Sequence, residues 1–247
     1  MFDLLRKNRL RLGQDLRDRE KRKLFSPALY SLDDSLLGAI DEFAHGNLID
    51  IGCGDMPYRS VIEARVERYD TIDREIRGSR PTYLGDIQDM RMIDSGRYDS
   101  ALCLSVLEHI PRPTRVLEEI HRILAAHGNL ILTVPCLSRL HEQPHDYYRY
   151  TEHGLRFLLG STGFEILRLE PTAGIFSFLG HQISTAFLCS VWHLPVIKQL
   201  AFGLNLLLVV KTCALADEAL KTHRLVPMGY LCVARKKPKL KSASGDG

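Results

Sequence analysis

The segment Leu48-Ile49-Asp50-Ile51-Gly52-Cys53-Gly54-Asp55 constrains the fold more than any other part of this chain. A short, mostly apolar run carrying one acid ends in a Gly-x-Gly turn, and Pro57 follows soon after. The pattern predicts a buried strand, a tight turn and then a helix. The glycines lack a Cβ, so backbone there can come close to a ligand. Pro57 suits a first helical turn, where its missing N–H costs nothing. A strand-turn-helix of this kind is a nucleotide-binding device at the carboxyl edge of a parallel sheet.

The turn departs from the dinucleotide fingerprint G-x-G-x-x-G/A, because Met56 and Pro57 stand where the third small residue belongs. Asp50 would also repel a pyrophosphate. It suits a cationic ligand, and S-adenosylmethionine carries an ammonium and a sulfonium with no phosphate.

At 247 residues with 45% apolar content, the chain fits one domain with a substantial core. A net charge of +3 gives no support for a nucleic-acid partner. The six cysteines show neither a CxxC nor a regular framework, so reduced, packed thiols are expected. Met1 to Lys23 is dense in Arg and Lys and has no apolar leader core, so a cytoplasmic location is expected.

Strands and helices alternate from Asn47 onward. Strands are expected at 48–51, 69–73, 82–84, 98–104, 129–134, 164–169 and 229–234. Helices are expected at 31–43, 57–66, 114–125 and 151–162, the last with Thr151 as N-cap and Gly163 as stop. This rhythm predicts an open α/β sheet with helices on both faces. Residues 1–30 read as a basic helix or arm whose thin apolar stripe is Leu5, Leu12 and Leu16. Residues 31–236 form the main domain, and 237–247 a disordered tail. Within the main domain, 174–216 reads as two apolar helices inserted before the last strand. Each piece is marginal or too polar for a confident membrane span. Extra core, a homodimer face and contact with a membrane surface all remain open for this insertion. In the membrane alternative, the basic helix of residues 1–25 rests on anionic headgroups at the inner face.

Other strand ends add matching chemistry. Asp73 ends the second strand about twenty residues past the turn, where an acid binds ribose hydroxyls. Asp86 follows the third strand and suits the adenine amine, with Ile87 as an apolar wall. Ser105 opens the loop Ser105–His109 after the fourth strand, whose backbone would line the methionine end.

Together these segments resemble the class I S-adenosylmethionine-dependent methyltransferases. The resemblance rests on LIDIGCG at 48–54, YDTIDRE at 69–75, YLGDIQDM at 83–90 and the run from Tyr98 to Pro135. It implies a Rossmann-like seven-stranded, mostly parallel sheet, with strand seven antiparallel between strands five and six. It implies S-adenosylmethionine as cofactor, bound by Asp50, Gly52, Cys53, Gly54, Asp73, Asp86, Ile87 and Ser105. The segment His141–Thr151, containing HDYYRYT, further resembles methyltransferases found among bacterial polysaccharide and glycolipid biosynthesis enzymes. That likeness implies a saccharide or lipid-linked saccharide acceptor. Small-molecule quinone, phenol or lipid acceptors remain the alternative, as does a non-catalytic cofactor-binding scaffold.

His109 and His145 are the candidate general bases, since an imidazole titrates near neutral pH. A packing role for His109 in its turn is the plainer alternative. His141, Asp146, Tyr147, Tyr148 and Arg149 are the candidate substrate residues. Asp146 could orient His145, Arg149 could hold a phosphate or carboxylate, and the rings could stack on a sugar face or enclose the sulfonium. A purely structural lid is the alternative. Some relatives hold a divalent metal through an ExxEH motif and a distant His. Ser105 stands at the first Glu position here, so no metal site is expected.

Overall fold

The computed structural model describes residues 2–238, with side chains from Leu5 onward. Seven strands are present: β1 (Asn47–Ile51), β2 (Arg68–Asp73), β3 (Tyr83–Leu84), β4 (Tyr98–Leu104), β5 (Leu124–Pro135), β6 (Phe164–Thr172) and β7 (Gly229–Lys236). They form one sheet in the order β3-β2-β1-β4-β5-β7-β6. The first five strands pair in parallel, and β7 runs antiparallel to both β5 and β6. The Rossmann-like sheet expected from the sequence is therefore present, including the reversed seventh strand. Of the expected tail, residues 239–247 lie outside the described residues.

Nine helices surround the sheet: α1 (Phe2–Asp15), α2 (Arg19–Phe25), α3 (Pro27–Phe43), α4 (Arg59–Glu63), α5 (Pro113–Ile123), α6 (Glu152–Ser161), α7 (Ile175–Val191), α8 (Pro195–Asn205) and α9 (Lys211–Leu220), among the described residues. Side chains alternate across a strand, so each buried strand feeds two cores. Ile49, Ala101, Leu130 and Cys232 pack on one face with Val116, Leu117 and Ile120 of α5 and Leu155 and Leu159 of α6. Leu48, Leu102, Ile131 and Leu231 pack on the other with Leu36, Ala39 and Ile40 of α3 and Ile62 of α4. Complete burial of a leucine or isoleucine stabilises by roughly 1.5–3 kcal/mol, so the α5 stripe alone anchors that helix.

Two local expectations need correction. The helix after the glycine turn begins at Arg59 and ends at Glu63, shorter than the expected 57–66. Met56 takes a left-handed backbone (φ 53°), and the chain turns again through Pro57 and Tyr58 before helix can start. The basic N-terminal segment forms two helices, with Asp18 capping α2 by accepting a hydrogen bond from Lys21 N at 3.0 Å.

The insertion forms α7 and then one continuous helical run, α8 through a π turn (Leu206–Val210) into α9. Leu12 and Phe25 of the N-terminal helices pack with Leu188, Cys189, Trp192 and Ala201 in a third core. Asn205 donates to the Phe25 carbonyl at 3.1 Å, so the insertion and the N-terminal helices hold each other.

Candidate functional site

The carboxyl ends of β1, β2 and β4 meet at the glycine turn. Gly52 and Gly54 both lie in the left-handed region, at φ 67° and 53°. A Cβ on Gly52 would come within 2.7 Å of the Val106 methyls, so the loop after β4 sits directly on the turn. A Cβ on Gly54 would meet nothing within 4 Å, which leaves its backbone open on that side. Asp73 Oδ2 accepts from Gly54 N at 2.9 Å and ties the end of β2 to the turn. Its other oxygen accepts from Glu75 N at 3.1 Å.

Asp50 is buried and accepts from the Tyr69 hydroxyl at 2.7 Å. Burial pushes its carboxyl up to about 6, the Tyr69 hydrogen bond works against that, and the Asp73 charge adds to it. No described cationic side chain pairs with it. Asp86 is exposed and accepts from Gln88 N at 2.8 Å, while Ile87 is buried beside it. Burial pushes the Cys53 thiol up to about 12, so Cys53 is a small wall residue and no thiolate. Ser105 takes φ 55°, uncommon for a residue with a Cβ, and its N–H donates to Thr133 O at 2.9 Å.

The loop 141–150 straps the 3₁₀ turn Leu107–His109. Tyr147 N donates to the Glu108 carbonyl at 2.8 Å, the Tyr148 hydroxyl to the Pro111 carbonyl at 2.9 Å, and the Tyr150 hydroxyl to the Leu107 carbonyl at 3.0 Å. The expected pairing of His145 with Asp146 does not form. Arg149 grips Asp146 with two bonds of 2.6 and 2.9 Å, and Asp146 Oδ2 also accepts from His141 N at 2.9 Å. The guanidinium holds the Asp146 carboxyl far below the usual carboxylate range. Arg149 is thus committed inside the loop, and it also donates to the Arg139 carbonyl at 2.8 Å. The His145 ring faces the Tyr147 hydroxyl at 3.1 Å, while its carbonyl lies 2.6 Å from His109 Nδ1.

One residue absent from the sequence-derived candidates stands out. Glu108 is buried beneath this strap, with a side-chain exposure of 1%, and neither carboxylate oxygen has a hydrogen-bond partner among the described residues. Burial pushes its carboxyl up to about 7. Oε1 lies 3.8 Å from His109 Nε2 and 3.9 Å from His141 Nε2, and the two rings meet edge to face at 4.7 Å. Burial lowers the pKa of both imidazoles, so neither is charged at neutral pH. The sequence signal was available: an acid beside His109 in the turn leaving a buried strand.

This geometry fits S-adenosylmethionine. An open glycine backbone, an acid at the end of β2 and a buried carboxylate without a cation face one sheet edge, as an adenosine joined to a cationic amino acid requires. The sheet order and this edge define a class I S-adenosylmethionine-dependent methyltransferase, a transferase enzyme. The chain belongs to the methyltransferase-domain family, whose profile matches residues 1–169. No protein of curated function matches the sequence. Among solved structures, the chain is similar to the 1,6-didemethyltoxoflavin N1-methyltransferase of Burkholderia thailandensis, solved with S-adenosylhomocysteine. That match has a TM-score of 0.54 and 15% identity over 96% of this chain and 88% of that one. It is similar to a methyltransferase of Archaeoglobus fulgidus described as dependent on S-adenosylmethionine (TM-score 0.52, 16% identity, 85% and 95% covered). It is also similar to the [4+2]-cyclase SpnF (TM-score 0.52, 18% identity, 85% and 81% covered). At these identities the structural likeness is one of fold.

Proposed function

We propose that this methyltransferase acts on an oxygen of a saccharide or lipid-linked saccharide at the inner face of a membrane. The observation that carries the reading is the strap 141–150. It lays exposed Tyr147 and Tyr148 over the turn that carries Glu108 and His109, with the Tyr147 hydroxyl against the His145 ring. Tyrosine faces suit the apolar face of a sugar ring.

In this reading Asp73 holds the ribose hydroxyls, Asp86 the adenine amine with Ile87 against the ring, and Asp50 the ammonium side. Gly52, Cys53, Gly54 and Ser105 offer backbone. S-adenosylmethionine, when bound, supplies a methyl group activated on sulfur. The chain orients the acceptor, excludes water and receives the hydroxyl proton. His109 is better placed than His145 for that proton. Its Nδ1 donates to a carbonyl, which leaves the Nε2 lone pair free in the buried cluster. Tyr147 and Tyr148 contact the acceptor, whereas Asp146 and Arg149 hold the strap in shape.

The membrane part rests on the exposed face of the insertion. Leu179, Ile183 and Phe187 form an exposed ridge on α7, and Val196, Leu200, Leu204 and Leu208 another along the following helix. Arg6, Lys7, Arg9 and Arg11 are exposed on α1, which packs against α7. The run Pro195–Leu220 is long and apolar enough to cross a membrane (mean hydropathy 1.7), with 17% of that window buried. Asn205 and Asp217 tie it to the protein body, which favours surface contact over crossing. Six unpaired cysteines suit a reducing compartment.

The test incubates purified protein with methyl-labelled S-adenosylmethionine and fractionated membrane lipids, free saccharides, and a panel of phenols and quinones. Label in a saccharide or glycolipid fraction is the expected outcome. Label only in the aromatic panel supports the second reading, which a neighbour with a heteroaromatic acceptor favours. Cofactor binding with no label in any fraction points to a scaffold.

A further inference from the structure

We propose that Glu108, His109 and His141 form a binding site for one divalent transition-metal cation. The argument starts from which atoms carry hydrogen. His109 Nδ1 sits 2.6 Å from the carbonyl oxygen of His145, and His141 Nδ1 sits 3.1 Å from that of Arg139. A carbonyl oxygen only accepts, so both Nδ1 atoms carry the proton and both Nε2 atoms present a lone pair. Those two lone pairs face the same oxygen of Glu108, at 3.8 and 3.9 Å. Glu108 is fully buried, and neither of its oxygens has a hydrogen-bond donor among the described residues. With Glu108 ionised, three acceptors therefore converge with no hydrogen between them. The three ligand atoms lie within 4.8 Å of one another.

Buried polar atoms are costly without a partner, and a buried carboxylate most of all. A cation at the centre satisfies all three at once. Metal–nitrogen distances near 2.0–2.1 Å and metal–oxygen distances near 2.0–2.2 Å ask for separations somewhat below those seen here. The groups must close in by several tenths of an ångström. Two imidazoles and one carboxylate select a transition ion such as zinc, manganese or cobalt over calcium or magnesium.

The surroundings also fit. Each ligating histidine gives its other ring N–H to a backbone carbonyl, the arrangement that fixes tautomer and ring direction around bound metals. The Asp146 carboxylate stands 3.7 Å from His141 Nδ1 and is itself clamped by Arg149. The strap thus has a task beyond covering the turn: it brings the third ligand to the pair on the 3₁₀ turn. A carboxylate at position 105 is not needed for this donor set. Three protein ligands leave at least one position for water or an oxygen of the acceptor. A bound cation would occupy the His109 Nε2 lone pair, so in the metal-loaded protein that atom no longer receives the hydroxyl proton. Metal binding itself stands independently of the methyl-acceptor reading, and only the use of the open position rests on it.

The experiment uses the full chain, stripped with a chelator and titrated with CoCl₂ and with MnCl₂ by calorimetry, and by visible absorption for cobalt. S-adenosylhomocysteine binding is measured on the same preparations. The wild type should bind one equivalent. Glu108→Gln and His141→Ala should each weaken binding by at least about 10-fold. His141 lies on a loop, so its variant keeps the test open if Glu108→Gln fails to fold. His127→Ala, at an exposed position of β5, should bind like the wild type. No saturable binding by protein that still binds S-adenosylhomocysteine overturns the metal site and leaves the methyltransferase assignment standing. Equal affinity in the wild type and both ligand variants also overturns it, because the cation then sits elsewhere.

Discussion

Asp50 shows what one residue in this site gives up and gains. It is buried with a single hydroxyl donor, Tyr69, and a second carboxylate, Asp73, adds to its burden. Its carboxyl titrates at about 6 in the folded chain against about 3.9 unfolded. The folded state holds that proton more tightly, so the group's contribution to stability is fully present below about pH 4. It is lost as pH rises through 6, by roughly 3 kcal/mol in all. Asp50→Asn keeps an acceptor for Tyr69 and carries no charge. Denaturant unfolding of both proteins without cofactor should give curves that separate between pH 4 and 7, the variant becoming the more stable. A constant difference across that range would show that the carboxylate is solvated. S-adenosylhomocysteine has an ammonium to offer Asp50. Its affinity for the wild type should rise over the same window, and for Asp50→Asn it should not.

At the scale of elements, the fold depends on acids that act far from their own helix. Asp217 of α9 accepts from Gly174 N at 2.9 Å, Phe176 N at 3.0 Å and Ser177 N at 2.8 Å, and from the Thr222 hydroxyl. It caps α7 from the far side of the insertion. Burial would raise its carboxyl, but the bonds from Ser177, Thr222 and Gly174 outweigh that and hold it low. Asp217→Ala should cost about 2–4 kcal/mol, because two buried N–H groups and one half-buried one lose their acceptor. Asp217→Asn, which retains one carbonyl oxygen, should cost less. Hydrogen exchange should show protection lost across 174–191 first; uniform loss along the chain would argue against a local cap. Such caps explain what the sequence could and could not reveal. Thr151 was legible as an N-cap because its partner, Gly154 N, is three residues away. The strands and α5 were legible because apolar spacing is local. Asp217 lies 40 to 43 residues from the backbone N–H groups it caps, and Glu108 meets His141 only because the strap folds back over the turn. The shortened α4 was hidden by Met56, whose left-handed backbone no residue preference announces.

At the scale of the whole molecule, the sheet edge and the insertion are joined through the N-terminal helices. Arg17 pairs with Asp55 of the glycine turn at 3.5 Å, and Arg19 grips the buried Asp33 at 2.6 and 2.9 Å. The same helices pack by Leu12 and Phe25 against the insertion. The proposed membrane face is thus tied to the cofactor edge through the chain that carries the basic residues. Leu200 and Leu208 are 67% and 68% exposed, so neither supports the core. The protein should co-float with vesicles containing phosphatidylglycerol and much less with neutral vesicles. Added salt should weaken that binding, since each basic residue near an anionic surface contributes about 1 kcal/mol. The double substitution Leu200→Asp, Leu208→Asp should lower vesicle affinity at least about 10-fold, because two apolar side chains leave the interface and two anions enter. Its thermal stability should stay within about 0.5 kcal/mol of the wild type, as for other exposed sites. Failure to bind either vesicle, with a sedimentation-detected dimer that the same substitutions dissociate, would assign the ridges to a second copy of the chain.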